Sequence, residues 1–538
     1  MRPLTLLGLA SIVFLLVRRL WTARRSGVKG VPWVGRDDSQ WFAELRANLS
    51  TFKTSYTLLH KGYTDYNKNG KTYMIPDMGG SPQLVLPTSQ LPWFLEQPDN
   101  VLSASGFHYD TLAGDYCFDN PEILRDPYHE RAIHRYLPRR MAALVPDIQD
   151  EVSDVFDTFW GRDTKNWKEV NLWDCVLPMV SRTVNRVLIG LPLCRNDEFL
   201  KTVIAVAESV PKSSLAIAYT PRWLRPIAGP LITWPQKGLL RKLSAFTKPI
   251  IEEQLARFQQ QKREPDDKWT PPNDFISWHI QAAMEDNRPE ELDAERIAAR
   301  IVPIEFAAIH TTSISFMNCM LDLISSQSAE TDLERICVES SSLLQEHDGH
   351  WTKSALGHCH LADSALRESM RLSGFMSRNV TRKVIPSKGI TNPFEGWNAP
   401  QGVHIGFDQH NVHHDADYYT KPMEFDAFRF APATEAQNKR TDKPDTGEAL
   451  VNDKAVSRGN TDLITTSDIW FPFSRGRHTC PGRFLVAAEI KIFLAYMTMN
   501  YDVETLQTRP ANKTLGAVNV PGTETIIKTR RKEGTPTS

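Results

Sequence analysis

A mainly α fold with a small β component is what three patterns in this 538-residue sequence predict. Up to about residue 375, apolar residues recur every three or four positions, as in the stretch Val145 to Phe156, the spacing that gives a helix one buried face. The segment from Lys71 to Leu86, with Tyr73-Met-Ile-Pro and Gln83-Leu-Val-Leu, alternates like short paired strands. From Asn379 onward Pro and Gly become frequent, and short extended pieces alternate with turns. No Pro/Gly/Ser-rich linker divides the chain into halves, so a single large domain is the simplest organisation. A content of 41% hydrophobic and 24% charged residues suits a globular chain with a large core. The formal net charge of -1 excludes the global field that a nucleic-acid partner would need. The seven cysteines, at 117, 175, 194, 319, 337, 359 and 480, show no Cys-x-x-Cys spacing, which argues against a zinc site and a disulfide scaffold.

Taken in order, the first element is an apolar run from Leu4 to Val17, with Arg2 before it and Arg18, Arg19, Arg24 and Arg25 behind. A cleaved signal, a buried core helix and a membrane anchor compete for it. The charge follows the run instead of preceding it and no small-x-small cleavage site is evident, so an anchor with the rest of the chain in the cytosol is favoured. Leu20 and Trp21 lengthen a run that is short for a span, and the arginines can snorkel. The sequons at Asn48, Asn379 and Asn512 then never meet the glycosylation machinery. The basic stretch His129, Arg131, His134, Arg135, Arg139 and Arg140 reads equally well as a solvated helical face. Val187 to Asn196 reads as a helix end followed by a turn. Glu435 to Thr466 is polar and almost without aromatics, and reads as a surface loop. Four histidines between His404 and His414 are too irregularly spaced for a metal site.

Between Ala294 and Ser326 a helix is predicted whose stripe is Ile297, Ile301, Ile304, Ala308, Thr311, Ser315 and Cys319. Periodicity alone makes this a core helix. Ala307 and Ala308 leave room beside it, and Thr311 and Thr312 can bond back to carbonyls and distort it locally. Further on, Glu368-Ser-Met-Arg371 places an acid and a base on one helical face, which by itself is a common ion pair of small worth. Near the C-terminus, Phe473-Ser-Arg-Gly476-Arg477-His478-Thr-Cys480-Pro481-Gly482 sets one cysteine in a glycine-rich loop before an apolar, helix-patterned segment that starts at Arg483. The glycines let the backbone turn, Pro481 fixes φ where a helix begins, and the helix N-terminal amides favour a thiolate. That arrangement reads as a thiolate ligand loop for a heme iron.

The loop resembles the signature of the cytochrome P-450 superfamily, Phe-x-x-Gly-x-Arg-x-Cys-x-Gly, at every position but one. His478 stands where most members have an arginine toward a heme propionate, and Arg477 or Arg475 is an alternative for that task. The resemblance runs through the chain after Gly30-Val-Pro32-Trp33-Val-Gly35, which is similar to the proline-containing hinge of microsomal members. It implies a cytochrome P-450 fold preceded by an N-terminal transmembrane helix, with an anchor and hinge over 1–36 and a catalytic domain over 37–538. It also implies heme b, with Cys480 as its axial thiolate and Phe473, Gly476, Arg477, His478 and Gly482 around it. Ala307-Ala-Ile-His310-Thr311-Thr312 resembles the motif that activates dioxygen on the distal side. There Thr311 and Thr312 match, and His310 replaces the usual carboxylate as the group that moves protons. Glu368, Arg371 and the Arg429 of Pro422-Met-Glu-Phe425-Asp-Ala-Phe428-Arg429-Phe430 correspond to a structural triad behind the heme, and His413-His-Asp415 to a loop that is ordinarily structural.

No Gly-x-Gly-x-x-Gly follows a strand, so electrons are expected from a separate NADPH–cytochrome reductase at the endoplasmic reticulum membrane. The substrate implied is a lipophilic secondary metabolite, with terpenoids or meroterpenoids ahead of alkaloids and polyketides. Phe375 to Asn379 and Asn519 to Gly522 are expected to contact it. A heme-thiolate isomerase or dehydratase, or a non-catalytic heme-binding protein, are the competing readings, and the Thr311-Thr312 pair speaks against both.

Overall fold

The computed structural model describes residues 27–534 apart from 38, 40–42, 78, 80, 81, 267 and 433–460. The apolar run of Leu4 to Val17 and residues 435–460 of the polar segment therefore lie outside the described residues. The helices longer than ten residues are α1 (Ala43–Asp65), α2 (Tyr128–Phe159), α3 (Leu172–Leu188), α4 (Asp197–Tyr219), α5 (Arg225–Arg263), α6 (Phe275–Glu285), α7 (Ala294–Ile324), α8 (Ala329–Glu346), α9 (His360–Leu372) and α10 (Arg483–Asn500). Four of them start where an Asn or Asp can cap. Asn171, Asn196, Asp274 and Asp293 accept from the amides of Asp174, Phe199, Ser277 and Arg296, each cap contributing about 1 kcal/mol.

The chain forms two compact units. The first comprises the described residues up to Thr111, Ser377–Asn411 and Thr514–Val518. It holds α1 and a five-stranded sheet made of β1 (Tyr73–Ile75), β2 (Gln83–Leu86), β3 (Leu102–Ser103), β5 (Arg378–Val384) and β8 (His404–Asp408). Their order is β1-β2-β8-β5-β3, with β2 and β8 parallel and the other neighbours antiparallel. Every residue of β1 and β2 is buried, so the alternation seen between Lys71 and Leu86 does not give a wet face. Val34 and Leu59 pack with Tyr73, Ile75 and Val85 over this part of the sheet. The hinge segment is strapped to the sheet: Met74 N donates to Pro32 O and Val34 N to Met74 O, both at 2.8 Å.

The second unit comprises Leu112–Met376, Val412–Lys513 and the described residues from Asn519 onward. It contains α2 to α10 and a sheet of β4 (Lys168–Asn171), β12 (Ile526–Arg531) and β9 (Tyr501–Val503), in the order β4-β12-β9. Its central rod is α7, which packs against α3, α4, α5 and α9. Among the described residues α7 is the helix long and apolar enough to cross a membrane, yet 67% of its most apolar stretch is buried inside the fold, as befits a core helix. Near its C-terminal end α7 meets α10 through Phe316 and Phe493, whose ring centroids are 5.1 Å apart, edge to face.

Candidate functional site

All residues singled out for chemistry fall in the second unit. The cysteine loop closes through Cys480 N donating to Phe473 O at 2.7 Å, with the Phe473 ring buried. The reversal needs left-handed backbone at Ser474 (φ 60°) and Gly476 (φ 76°), which glycine adopts without steric cost and serine does not. A short turn of 3-10 helix, Gly476–His478, then delivers Cys480, and α10 starts at Arg483. Gly482 has an ordinary φ of -80°, so it is not needed for the turn. A Cβ there would lie 3.8 Å from Cys480 Sγ, in van der Waals contact with the sulfur. Its glycine therefore keeps the approach to the sulfur clear. Pro481 lies two residues before the first helical residue, so it sets the approach to the helix and is not itself in the first turn.

Burial raises the Cys480 pKa, while the backbone amides of Gly482 and Arg483 and the Arg483 charge act to lower it. The residue as a whole is half-buried. Arg483 donates from Nη1 to Cys480 O at 2.7 Å and lies over the Phe484 ring, yet its Nε is buried without a partner. Burial also lowers the pKa of His134, and the nearby charges of Arg483 and His478 lower it further. The charges that act on the cysteine are thus the Arg483 cation of α10, which favours the thiolate, and the Glu130 carboxylate of α2, which opposes it. Of the two loop arginines, Arg475 is committed to Asp468 (2.8 Å) and to Thr466 O (2.6 Å), whereas Arg477 is exposed. The basic stretch on α2 also divides: Arg135 pairs with Glu285 and Asp286, while Arg131, Arg139 and Arg140 are exposed.

On α7 the stripe of Ile297, Ile301, Ile304, Ser315 and Cys319 is buried, but Ala307 is exposed and Ala308 and Thr311 are half-buried. The middle of a core helix therefore opens onto space. Thr311 Oγ1 donates to Ala307 O at 2.6 Å. Thr312 does not follow the expectation: its hydroxyl is buried with no partner, and α7 runs on as unbroken α-helix through this point. The back-bonds of Thr311, Ser313 and Ser315 to the carbonyls four residues before them leave the helix unbroken. His310 is half-buried, its Nδ1 is buried without a partner, and its ring centroid lies 6.2 Å from that of Trp173 on α3. Burial lowers its pKa.

Glu368, Arg371 and Arg429 meet in a closed cluster. Arg371 grips the Glu368 carboxylate with Nε and Nη2 at 2.8 and 2.9 Å, and Arg429 Nε reaches the same carboxylate at 3.0 Å. The remaining guanidinium hydrogens go to main-chain carbonyls of His413, Pro422, Thr420 and Glu424. All three side chains are buried. His413 stacks on Trp470 with centroids 5.1 Å apart and serves this wall, while His404 pairs with Asp110 in the first unit. Among the described residues no cluster of histidines, cysteines and carboxylates could hold a metal ion. Of the segments expected at the substrate, Phe375 and Asn519 join through Asn519 N to Phe375 O at 2.9 Å.

Two residues carried no role in the sequence reading. Arg483 could have been noticed, because a cation in the first turn of a helix opposes the dipole and asks for a nearby negative charge. Glu305 is a lone carboxylate in an apolar part of α7. It is fully buried, accepts only from Asn185 Nδ2 at 3.3 Å, and burial pushes its pKa up to about 8.

The family model described as Cytochrome P450 matches residues 128–527. "Cytochrome P450 monooxygenase gloP" of Glarea lozoyensis is 31% identical over 509 residues, covering 93% of this chain and 91% of that protein. "Cytochrome P450 monooxygenase polB" of Polytolypa hystricis is 30% identical over 514 residues, covering 94% of each. The solved structure of retinoic acid bound cyanobacterial CYP120A1 matches with a TM-score of 0.64 at 16% identity, covering 94% of this chain and all of that one, a likeness of fold.

Proposed function

The chain belongs to the cytochrome P450 family and is a heme-dependent monooxygenase that uses dioxygen, a redox partner and a small-molecule substrate, and we propose that Cys480 is its axial ligand and Thr311 its distal hydroxyl. The carrying observation is the setting of Cys480, a half-buried cysteine in a closed loop before a helix whose first residue, Arg483, has a buried Nε with no partner. A porphyrin suits that donor set. Its iron would take the Cys480 thiolate, and Arg483, whose Nε is buried without a partner, would hold a carboxylate, with His478 of the loop as a further donor. Phe473 would wall the loop, Gly476 its turn, Arg477 its outer edge, and Gly482 would keep the approach to the sulfur open. When bound through a thiolate, heme iron supplies the activation of dioxygen.

The chain's own residues do the rest. The Gly482 and Arg483 amides hold negative charge on Sγ. Thr311 holds a hydroxyl proton at the open stretch of α7, Ala307 and Ala308 leave space for a small ligand, and the preceding residue, His310, is biased by burial toward the neutral imidazole that can accept a proton. Thr312 contributes a second hydroxyl with no protein partner. Glu368, Arg371 and Arg429 hold the wall from which the loop departs.

We further propose electrons from NADPH through a separate reductase, and a lipophilic secondary metabolite, terpenoid or meroterpenoid, as substrate. Residues 1–36 are read as anchor and hinge at the endoplasmic reticulum membrane, with 37–538 as a catalytic domain facing the cytosol. The described surface supports a membrane seat. Trp223, just before α5, and Ile227, Leu231 and Trp234 in its first turns are 72%, 67%, 68% and 71% exposed, the last three on one helical face, with Arg222 and Lys237 exposed beside them. Indoles and aliphatic side chains flanked by cations are the composition of a helix lying in a lipid interface.

A thiolate-type ferrous–CO spectrum tests the ligand. Metabolite profiling of a deletion strain, followed by turnover of the accumulated compound with NADPH and reductase, tests the reaction. Turnover without reductant would instead indicate an isomerase or dehydratase.

A further inference from the structure

We propose that Arg509 is the positioning residue that closes one end of the space in front of Thr311, and that it thereby sets how an apolar ligand is held there. The proposal rests on the reading of Thr311 as the distal hydroxyl and adds a residue outside every motif read in the sequence.

The face of α7 that carries Thr311 changes character along its length. Thr311, Ser315, Asn318 and Asp322 are spaced four, three and four residues apart, so they fall on one stripe of the helix. Asn318 and Asp322 are buried, whereas Thr311 is half-buried and Ala307, one turn before it, is exposed. The same face is thus covered toward its C-terminal end and open at Thr311. Two chain segments supply the cover. At the end of α9, Ser369 Oγ donates to Asp322 at 2.6 Å, and Ser373 O accepts from Asn318 Nδ2 at 3.2 Å. In the segment 506–512, Leu506 N donates to Ile324 O at 2.8 Å and Asn512 Nδ2 to Asn318 Oδ1 at 3.0 Å. Both segments therefore run along α7 toward Thr311, which lies seven residues, about 10 Å, beyond Asn318.

Arg509 ties the three together. Its Nε donates to Asp322, its Nη2 to Asn318 Oδ1 at 2.8 Å and to Ser373 Oγ at 3.2 Å, and its Nη1 to Asn512 Oδ1 and Pro510 O, both at 2.9 Å. Every N–H of one planar guanidinium is used, and the partners lie on α7, at the end of α9 and in the segment 506–512. A lysine ammonium, a point charge with three donors, cannot span them. Past this clamp the two chains meet again, Asn519 N donating to Phe375 O at 2.9 Å. Phe375 follows Ser373 by two residues, which reach about 7 Å when extended, so its half-buried ring is brought toward the level of Thr311. The joined pair is the wall at the edge of the open stretch, and Arg509 fixes where that wall stands.

The test uses the ferric holoenzyme, titrated spectroscopically with imidazole and with 4-phenylimidazole, two iron ligands that differ in the apolar group carried into the distal space. Arg509→Lys keeps a cation for Asp322 and loses the fork. It weakens 4-phenylimidazole binding roughly three- to tenfold, because the wall must then be ordered on binding, while imidazole changes by less than about twofold. Hydrogen exchange of the Asn519 amide in the same holoenzyme speeds up roughly tenfold or more. Ser369→Ala removes a bond to Asp322 without touching the clamp, and leaves the ratio of the two affinities as in the parent. Equal changes for both ligands in Arg509→Lys, no change in either, unchanged exchange at Asn519, or a shifted ratio in Ser369→Ala each overturn the proposal. Should Arg509→Lys yield no holoenzyme, Asn512→Ala, which keeps the Arg509–Asp322 pair, makes the same comparison with the same outcomes. A parent protein without the thiolate-type ferrous–CO band would instead overturn the heme-thiolate reading, and exchange at Asn519 alone then decides the clamp.

Discussion

Two regions of the helical unit, the Glu368–Arg371–Arg429 cluster and the space around Cys480 and Thr311, are built from equally polar residues and treat them in opposite ways. In the cluster the carboxylate oxygens and the guanidinium groups have partners, carboxylate or carbonyl, at hydrogen-bond distance. Around Cys480 and Thr311 polar atoms are buried without partners, among them Arg483 Nε, His310 Nδ1 and Thr312 Oγ1. A saturated polar cluster can only hold structure, because it has nothing left to offer a ligand. Unsaturated atoms in a packed protein are costly unless something binds there. Saturation therefore identifies the Glu368 cluster as scaffold, while unpartnered atoms, which also occur elsewhere in the fold, mark a site only where other features converge.

The largest effect expected from this division is at the sulfur. Cys480→Ser removes the thiolate-type ferrous–CO band entirely, while the unfolding midpoint of the heme-free protein moves by no more than a few degrees. A variant that keeps the band would place the ligand on another cysteine. The scaffold side is expected to break differently. Glu368→Ala leaves two buried guanidinium groups facing each other and costs roughly 3–5 kcal/mol, seen as a lower thermal midpoint and poor heme content in the same preparation. Normal stability with poor heme would move Glu368 from the scaffold to the site.

Glu305 lies between these extremes, and a third test uses that. It shares with Asn185 one hydrogen bond, and Glu305 Oε1 and Asn185 Oδ1 both lack partners. A protonated carboxyl resolves this, because its O–H can donate to Asn185 Oδ1 while Asn185 Nδ2 donates back. The raised pKa of about 8 agrees in direction, and burial is its cause. With the folded pKa raised, the stabilising contribution is whole below the unfolded value near 4.5, falls as pH rises from there to about 8, and is flat above. Glu305→Gln removes this slope, at most about 1.4 kcal/mol per pH unit. Parallel stability curves for the parent and the variant between pH 5 and 8 would show that Glu305 is ionised throughout.

How much of this was legible in the sequence follows from the range over which each feature is determined. The cysteine loop, the Glu-x-x-Arg pair and the α7 stripe are local patterns, and each reads directly. The five-stranded sheet is not local. β2 lies beside β8, more than 300 residues away, and the alternation read between Lys71 and Leu86 does not announce a strand covered on both faces. The fate of individual hydroxyls was equally hidden. Thr311 and Thr312 look interchangeable in sequence, yet one bonds to the preceding turn and the other to nothing. Arg483 and Glu305 left a trace, a charge where helix electrostatics or helix hydrophobicity disfavours one, and that trace is a general signal worth reading.

The smallest expected effect sharpens the comparison most. Thr312→Val keeps the side-chain shape and deletes a hydroxyl that no protein atom satisfies. If that hydroxyl is merely an unsatisfied group in the core, its removal is neutral or stabilises by up to about 1 kcal/mol, and NADPH consumption with reductase is unchanged. If it belongs to the site, stability still does not fall, but consumption slows or a substrate-induced spectral shift weakens, because the missing partner is then water or ligand. Stability and turnover thus move apart at Thr312, as they cannot at Glu368, where both depend on the same saturated cluster.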